Sequence, residues 1–272
     1  MRPIDIKASA AGAGAVSGDG DGESDVLRRM LGQGGSRTVD SETLISEVQA
    51  HVAGALESGY EYNTTLEKSD AFLRSRVLSR MSLVVMYVDL VGSTDIALEL
   101  PVDRVATIIS AFAQEMARVV TRHGGLVLKF VGDAVLAYFV ADENSLRAAD
   151  SAVRCAIAMV DVIKRGINPI LTRAGNPELM VKIGLDYGTG IIVRYGADEQ
   201  KSYVDILGPP MNIAAKIQAR ARPNQILVGH DVYSRLHPST QAEFGEVAWG
   251  EGEWKYRSRE SGDVYRVYGR EA

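Results

Sequence analysis

Residues 83–94, LVVMYVDLVGST, and residues 124–139, GGLVLKFVGDAVLAYF, are the two stretches whose reading decides the fold. In the first, the apolar run Leu83 to Val88 reads as a strand that ends in Asp89. Gly92-Ser93-Thr94 follows as a bend with free backbone N–H groups ahead of a helix, a cradle for an anion beside an acid. In the second, two short apolar runs flank Val131-Gly132-Asp133-Ala134, the pattern of a β-hairpin with Asp133 at its tip. Between the two stretches, Val102 to Arg122 reads as a helix of about twenty residues, so the order is strand, helix, strand, returning strand. If the returning strand inserts between the other two, antiparallel to both, its start lies beside the end of the first. Asp89 and Asp133 then converge. Two hard oxygen ligands beside a phosphate cradle are what a pair of Mg²⁺ or Mn²⁺ ions carrying a triphosphate requires. Either acid alone would read as a turn former or helix cap. The pair, with its glycines and element order, reads as a site.

Working outward, residues 1–38 are rich in Gly, Ala, Ser and Asp and cannot bury enough apolar surface to order themselves, so a disordered tail is expected. Residues 39–80 form a helical extension, in which Leu44, Ile45, Val48, Val52 and Leu56 mark an amphipathic helix over Ser41 to Ser58 that packs on its own domain. The main α/β domain takes residues 81–272. There a long helix, 143–166, precedes a loop punctuated by Pro169, Gly175 and Pro177. Met180 to Tyr187 and Ile191 to Arg194 read as a hairpin around Gly188-Thr189-Gly190. A strand over Ser202 to Leu207 leads through Gly208-Pro209-Pro210 into a helix, Met211 to Ala221, with the prolines at its start. Gln225 to Val228 and the aromatic-rich stretch Val247 to Val267 supply further short strands.

Composition narrows the class. The chain has 272 residues with 46% hydrophobic content, enough for one sizeable core and an appendage. A net charge of −5 argues against a general affinity for nucleic acid or an anionic membrane. Cys155 lies at an apolar position of a helical run and reads as core rather than nucleophile. His51, His123, His230 and His237 are scattered and make no zinc pattern. No apolar run is long enough to span a bilayer and no signal peptide is evident, so a cytoplasmic protein is expected.

Four stretches, YVDLVGST (87–94), GGLVLKFVGDAVLAYF (124–139), VKIGLDYGTG (181–190) and YVDILGPPMNIAAK (203–216), resemble in order and spacing the catalytic domain of class III nucleotide cyclases. The resemblance covers about Ser82 to Tyr268. It implies an α+β fold with a ferredoxin-like βαββαβ core, and conversion of a nucleoside triphosphate to a 3′,5′-cyclic monophosphate and pyrophosphate. It also implies a head-to-tail homodimer with two composite active sites and two Mg²⁺ or Mn²⁺ ions in each. By resemblance, Asp89, Asp133 and the backbone carbonyl of Leu90 hold the metals, and Gly92, Ser93 and Thr94 cradle phosphate. Lys129 and Asp205 read the base, Asn212 orients the ribose, and Lys255 contacts the outer phosphates. Asp89, Leu90 and Asp133 of one subunit would face Lys129, Asp205, Asn212, Lys216 and Lys255 of the other.

Lys216 departs from the pattern, because the family usually places an arginine there to stabilise charge on the α-phosphate. Lysine keeps the charge and loses the planar fork. The Lys129/Asp205 pair fits the amine and ring nitrogen of adenine. Cytosine presents the same edge, and uracil could use Lys129 through a carbonyl oxygen. Guanylate cyclases typically carry Glu and Cys there, which disfavours GTP. The bare layout, with lysine for arginine, resembles the pyrimidine cyclases of bacterial antiphage signalling, which make cyclic UMP or cyclic CMP. This reading is preferred to adenylate cyclase. Two other classes stand as alternatives: a non-catalytic cyclase-homology module, which would be expected to lose a metal acid or the helix asparagine, and a diguanylate-cyclase-like enzyme, opposed by the absence of a GGDEF-like segment.

Overall fold

The computed structural model of the chain describes residues 41–59, 65–199, 201–258 and 261–271; the tail expected over residues 1–38 lies outside them. The central strand β1, Arg80–Leu90, alternates its side chains between two covered faces. Val84, Met86, Val88 and Leu90 point into one apolar layer, Leu83 and Val85 into the other, with Tyr87 at the second layer's border. That double burial explains why the run reads as almost continuously apolar. The hairpin strands are β2, Leu126–Val131, and β3, Ala134–Val140. β3 lies between β2 and β1, antiparallel to both, with Val88 opposite Val135 and Val131 opposite Ala134. The insertion expected from the sequence therefore holds, and it brings the end of β1 to the β2–β3 turn.

The other side of β1 pairs along its whole length with β4, Val181–Tyr195. β4 continues beyond β1 to pair with β5, Tyr203–Leu207, and on its far side with β6, Ile226–Gly229. β7, Gly245–Glu246, and β8, Val267–Arg270, complete one sheet in the order β2-β3-β1-β4-β6-β8-β7. On the Val84 face lie α1, Ser41–Ser58, α4, Val102–Arg122, and α5, Ser145–Asp161. On the Leu83 face lie α2, Thr65–Arg74, and α7, Pro209–Gln218, through Leu73, Met211 and Ala214. The short helices α3, Ser93–Glu99, α6, Asn168–Arg173, α8, His230–Tyr233, and α9, Pro238–Gln241, fill the connections.

The amphipathic helix α1 packs on the sheet that follows it, as its stripe predicts. α1 buries Leu44, Ile45, Val48 and Val52, each larger side chain worth about 1.5–3 kcal/mol. Its approach is close: a Cβ on Gly166 would sit 2.9 Å from Val48 Cγ1. Cys155 is buried in the same layer, and burial pushes its thiol well up, so it is core and not a nucleophile.

Three local expectations fail. Met180 to Arg194 is not a hairpin but the single strand β4, because Gly188 and Gly190 are not turn glycines. A Cβ on Gly190 would lie 2.6 Å from Ile206 Cγ2, so the missing side chain makes room for β5. Pro169 does not open a loop either. The helix passes from α5 through a π-helical turn, Val162–Ile167, into α6, and the wider turn takes up a ring that would clash in a regular helix. The aromatic stretch Val247 to Val267 forms only an isolated bridge, Arg257 to Val264, before β8. Its side chains are satisfied by packing rather than by a ladder: Trp249 stacks on Trp254 at 5.2 Å between ring centres. α7 also starts earlier than expected, taking Pro209 and Pro210 into its first turn, and ends at Gln218.

Candidate active site

The register of β1 against β3 puts Asp89, near the C-terminal end of β1, beside the β2–β3 turn, where Gly132 (φ 62°) supplies the left-handed bend. Asp133 sits at that turn, with Oδ2 buried and without a hydrogen-bond partner among the described residues. Asp89 is half-buried, and its proton affinity is raised, first by desolvation and then by the charge of Asp133. A hydrogen bond from Gln218 Nε2 to Asp89 Oδ2, 3.2 Å, works the other way, as does the charge of Lys182. Two partly desolvated carboxylates that repel each other, one with an orphaned oxygen, are a donor set suited to a hard divalent cation. No group of three or more His, Cys, Asp or Glu side chains gathers for a metal among the described residues. Remaining ligands would come from main-chain carbonyls, substrate phosphates and water, the usual mix for Mg²⁺. Leu90 ends β1 with its side chain in the core, which leaves only its main chain for such a role.

Just beyond, Gly92 adopts φ 70°, ψ 22° and turns the chain into α3. Its first turn carries Ser93 and Thr94, and no side chain caps it, so the bend expected ahead of a helix is present.

Elsewhere on the sheet, Lys129 on β2 and Asp205 on β5 meet: Nζ to Oδ2 is 2.6 Å. Asp205 is buried, and its Oδ1 accepts from the Ile206 amide at 2.9 Å. Burial alone would lower the Lys129 ammonium, but the hydrogen bond and charge of Asp205 outweigh it and the net shift is upward. Two tyrosines flank this pair. Lys129 Nζ lies 5.7 Å from the ring centre of Tyr203. The Tyr87 phenol is raised by burial and feels both charges, Lys129 lowering and Asp205 raising it.

α7 carries Asn212 and Lys216 on its exposed face, neither with a partner among the described residues, while Met211, Ala214, Ile217 and Gln218 are buried. The helix can lie this close to the sheet because residue 184 is glycine: a Cβ there would meet the Gln218 backbone nitrogen at 2.3 Å. Gln218 thus faces Asp89, whereas at 100° per residue Lys216 points about 160° away around the helix. One chain therefore joins Asp89 with Asp133, and Lys129 with Asp205, but turns Asn212 and Lys216 away from its own carboxylate pair. Lys255 is exposed beside Trp254, which packs with Ile217 of α7 in a third apolar cluster. That cluster is pinned by Tyr265, whose hydroxyl donates to the buried Asp186 at 2.6 Å.

Tyr87 and Gln218 escaped the sequence reading. Strand alternation could have found Tyr87, two residues before Asp89 on the same face. Gln218 carried no signal, because its contact depends on where α7 docks.

The family described as the adenylate and guanylate cyclase catalytic domain matches residues 78–266. An uncharacterized protein of Mycobacterium tuberculosis is 31% identical over 169 residues, covering 61% of this chain and 29% of its own. Adenylate cyclase 1 of Rhizobium meliloti is 27% identical over 143 residues, 53% of this chain and 21% of that one. This chain thus spans under a third of the length of these relatives. Among solved structures, the adenylyl cyclase CyaB from P. aeruginosa superposes with a TM-score of 0.59 at 22% identity, over 70% of this chain and 94% of that one. The guanylyl cyclase Cya2 gives 0.59 at 21% identity, over 70% and 92%. These likenesses establish the mixed α+β fold, and the match over residues 78–266 places this chain in the adenylate and guanylate cyclase catalytic domain family.

Proposed function

We propose that the protein is a cytoplasmic nucleotide cyclase that closes a pyrimidine nucleoside triphosphate, UTP or CTP, into its 3′,5′-cyclic monophosphate. In that reaction the ribose 3′-oxygen forms a bond to the α-phosphorus, the bond to the bridging oxygen breaks, pyrophosphate leaves, and the 3′-hydroxyl proton passes to water. The observation that carries the reading is the approach of Asp89 to Asp133, whose buried Oδ2 has no hydrogen-bond partner among the described residues. Mg²⁺ or Mn²⁺, two per site, would be held there with the Leu90 carbonyl; when bound they acidify the 3′-hydroxyl and neutralise the triphosphate. Gly92, Ser93 and Thr94 would offer main-chain donors to phosphate. Asn212 orients the ribose, Lys216 places a positive charge at the α-phosphate, and Lys255 reaches the outer phosphates.

Because Asn212 and Lys216 face away from the chain's own carboxylates, the reading requires a second copy. Each composite site takes its acids from one subunit and its α7 face from the other. A dimer with two such sites follows.

The pyrimidine preference is supported by the lysine at position 216, where the family usually has arginine, a departure in which the chain resembles the antiphage pyrimidine cyclases. Lys129 and Asp205, the base readers, meet at 2.6 Å. The product would act as a second messenger, in the manner of the antiphage cyclases that the chain resembles. The second reading, cyclic AMP from ATP, is favoured by the amine and ring-nitrogen edge that a Lys/Asp pair matches, and by the similarity to Adenylate cyclase 1.

Incubation with ATP, CTP, GTP and UTP separately, with Mn²⁺ and mass identification of products, tests both. Cyclic UMP or cyclic CMP is expected. Predominant cyclic AMP would overturn the pyrimidine assignment and keep the mechanism. No pyrophosphate from any of the four would leave a nucleotide-binding module.

A further inference from the structure

The exposed stripe of α7 does not stop at Lys216. Arg220 follows Lys216 by four residues, as Lys216 follows Asn212, and helical hydrogen bonding continues through the Ala219 amide to Ala215 (3.1 Å) and the Arg220 amide to Ile217 (3.0 Å). Ala219 still has φ −61°, ψ −18°. Asn212, Lys216 and Arg220 therefore line one side of the helix at steps of about 6 Å. All three are exposed, whereas Ile217, Gln218 and Ala221 between and beyond them are buried.

Arg220 is also uncommitted. Its neighbour Arg222 is bound by Glu271, but Arg220 forms no ion pair among the described residues. It borders an open cleft of about 490 Å³ whose walls include Arg222, Leu227 and Val247 and two carboxylates that are already ion-paired, Glu271 with Arg222 and Glu246 with Arg266. A cation at the end of a helix can serve the helix dipole alone, worth about 0.3–1 kcal/mol at an exposed site. Two features argue for more. The stripe runs in chemical order along the chain, with Asp205 for the base just before α7, Asn212 for the ribose, and Lys216 for the α-phosphate. The next step outward is where the β- and γ-phosphates of the same substrate would extend. Lys216 is also a point charge, so the site lacks a planar fork for phosphate oxygens, and Arg220 is the guanidinium that the helix places one turn further on.

We propose that Arg220 grips the β/γ end of the bound triphosphate and the departing pyrophosphate, supplying the bidentate contact that lysine at position 216 does not. The proposal rests on the cyclase reading above. Arg220→Ala should lower kcat/KM by about 10- to 100-fold, as loss of a hydrogen bond to a charged group does. It should weaken pyrophosphate binding, measured by calorimetry with the Mn²⁺-loaded protein, by a similar factor, with the thermal midpoint lowered by no more than the few degrees that loss of the dipole contribution brings. Lys216→Arg added to Arg220→Ala should recover much of the lost rate, because it restores a fork one turn earlier.

Wild-type kcat/KM and pyrophosphate affinity in Arg220→Ala would overturn the proposal while leaving the cyclase reading intact. So would a loss of rate that comes with a lowered midpoint and normal pyrophosphate affinity. A wild-type protein inert toward all four triphosphates would sink both together.

Discussion

A heterodimer that carries Asp133→Asn on one subunit and Asn212→Ala on the other tests the composite site directly. α7 turns Gln218 toward its own Asp89 and Asn212 outward, so in the proposed dimer the two lesions would fall in the same site and leave the second site whole. Each homodimer should lose activity by about 100-fold or more, since every site lacks either a metal acid or the ribose anchor. The heterodimer, purified through two different tags, should keep about half of the wild-type rate per dimer. Asparagine matches aspartate in shape and removes the charge that raises the proton affinity of Asp89, so the acid variant should unfold no earlier than wild type. The assay is pyrophosphate release at saturating substrate with Mn²⁺. A heterodimer as inactive as its parents would refute the division of labour between subunits, and a fully active Asn212→Ala homodimer would remove α7 from the site altogether.

Asp186 is buried and its carboxyl is pushed up to about 8, chiefly by desolvation. Its folded value exceeds the ordinary one, so the folded state binds the proton more tightly and stability is greatest at low pH. Between pH 5 and 8 this group should cost at most about 1.4 kcal/mol per pH unit. Asp186→Asn, which keeps an acceptor for Tyr265, should flatten that slope in urea unfolding curves; parallel slopes would count against it. Gly184→Ala would drive a Cβ into the Gln218 backbone at 2.3 Å, and because main chain cannot swing aside it should destabilise by about 3 kcal/mol or more. An unchanged urea midpoint would show that α7 has slack over β4.

Much of the fold was readable in advance. The Leu83 to Val88 run, the hairpin around Gly132-Asp133 and the helix between them gave the order of elements, while the insertion of the third strand between the other two, on which the approach of Asp89 and Asp133 depends, is settled by the sheet itself. The Asn212/Lys216 stripe followed from helical spacing and survives intact on α7. Glycines misled where their role is tertiary: Gly188 and Gly190 look like a turn until β5 is seen crossing them. Pro169 looks like a helix end until the π-helical turn before it absorbs the ring.

Sequence by itself determined the order of elements, which carboxylates carry charge at strand ends, and which helix residues share a face, because these depend on local periodicity and on bond geometry within a few residues. Only the tertiary structure decided that Asp133 keeps an unpartnered oxygen, that Lys129 closes on Asp205, that Tyr87 borders them, and that Gln218 reaches Asp89. Those contacts join positions up to 129 residues apart, and their geometry is set by how closely one helix can approach a sheet, which no spacing along the chain encodes.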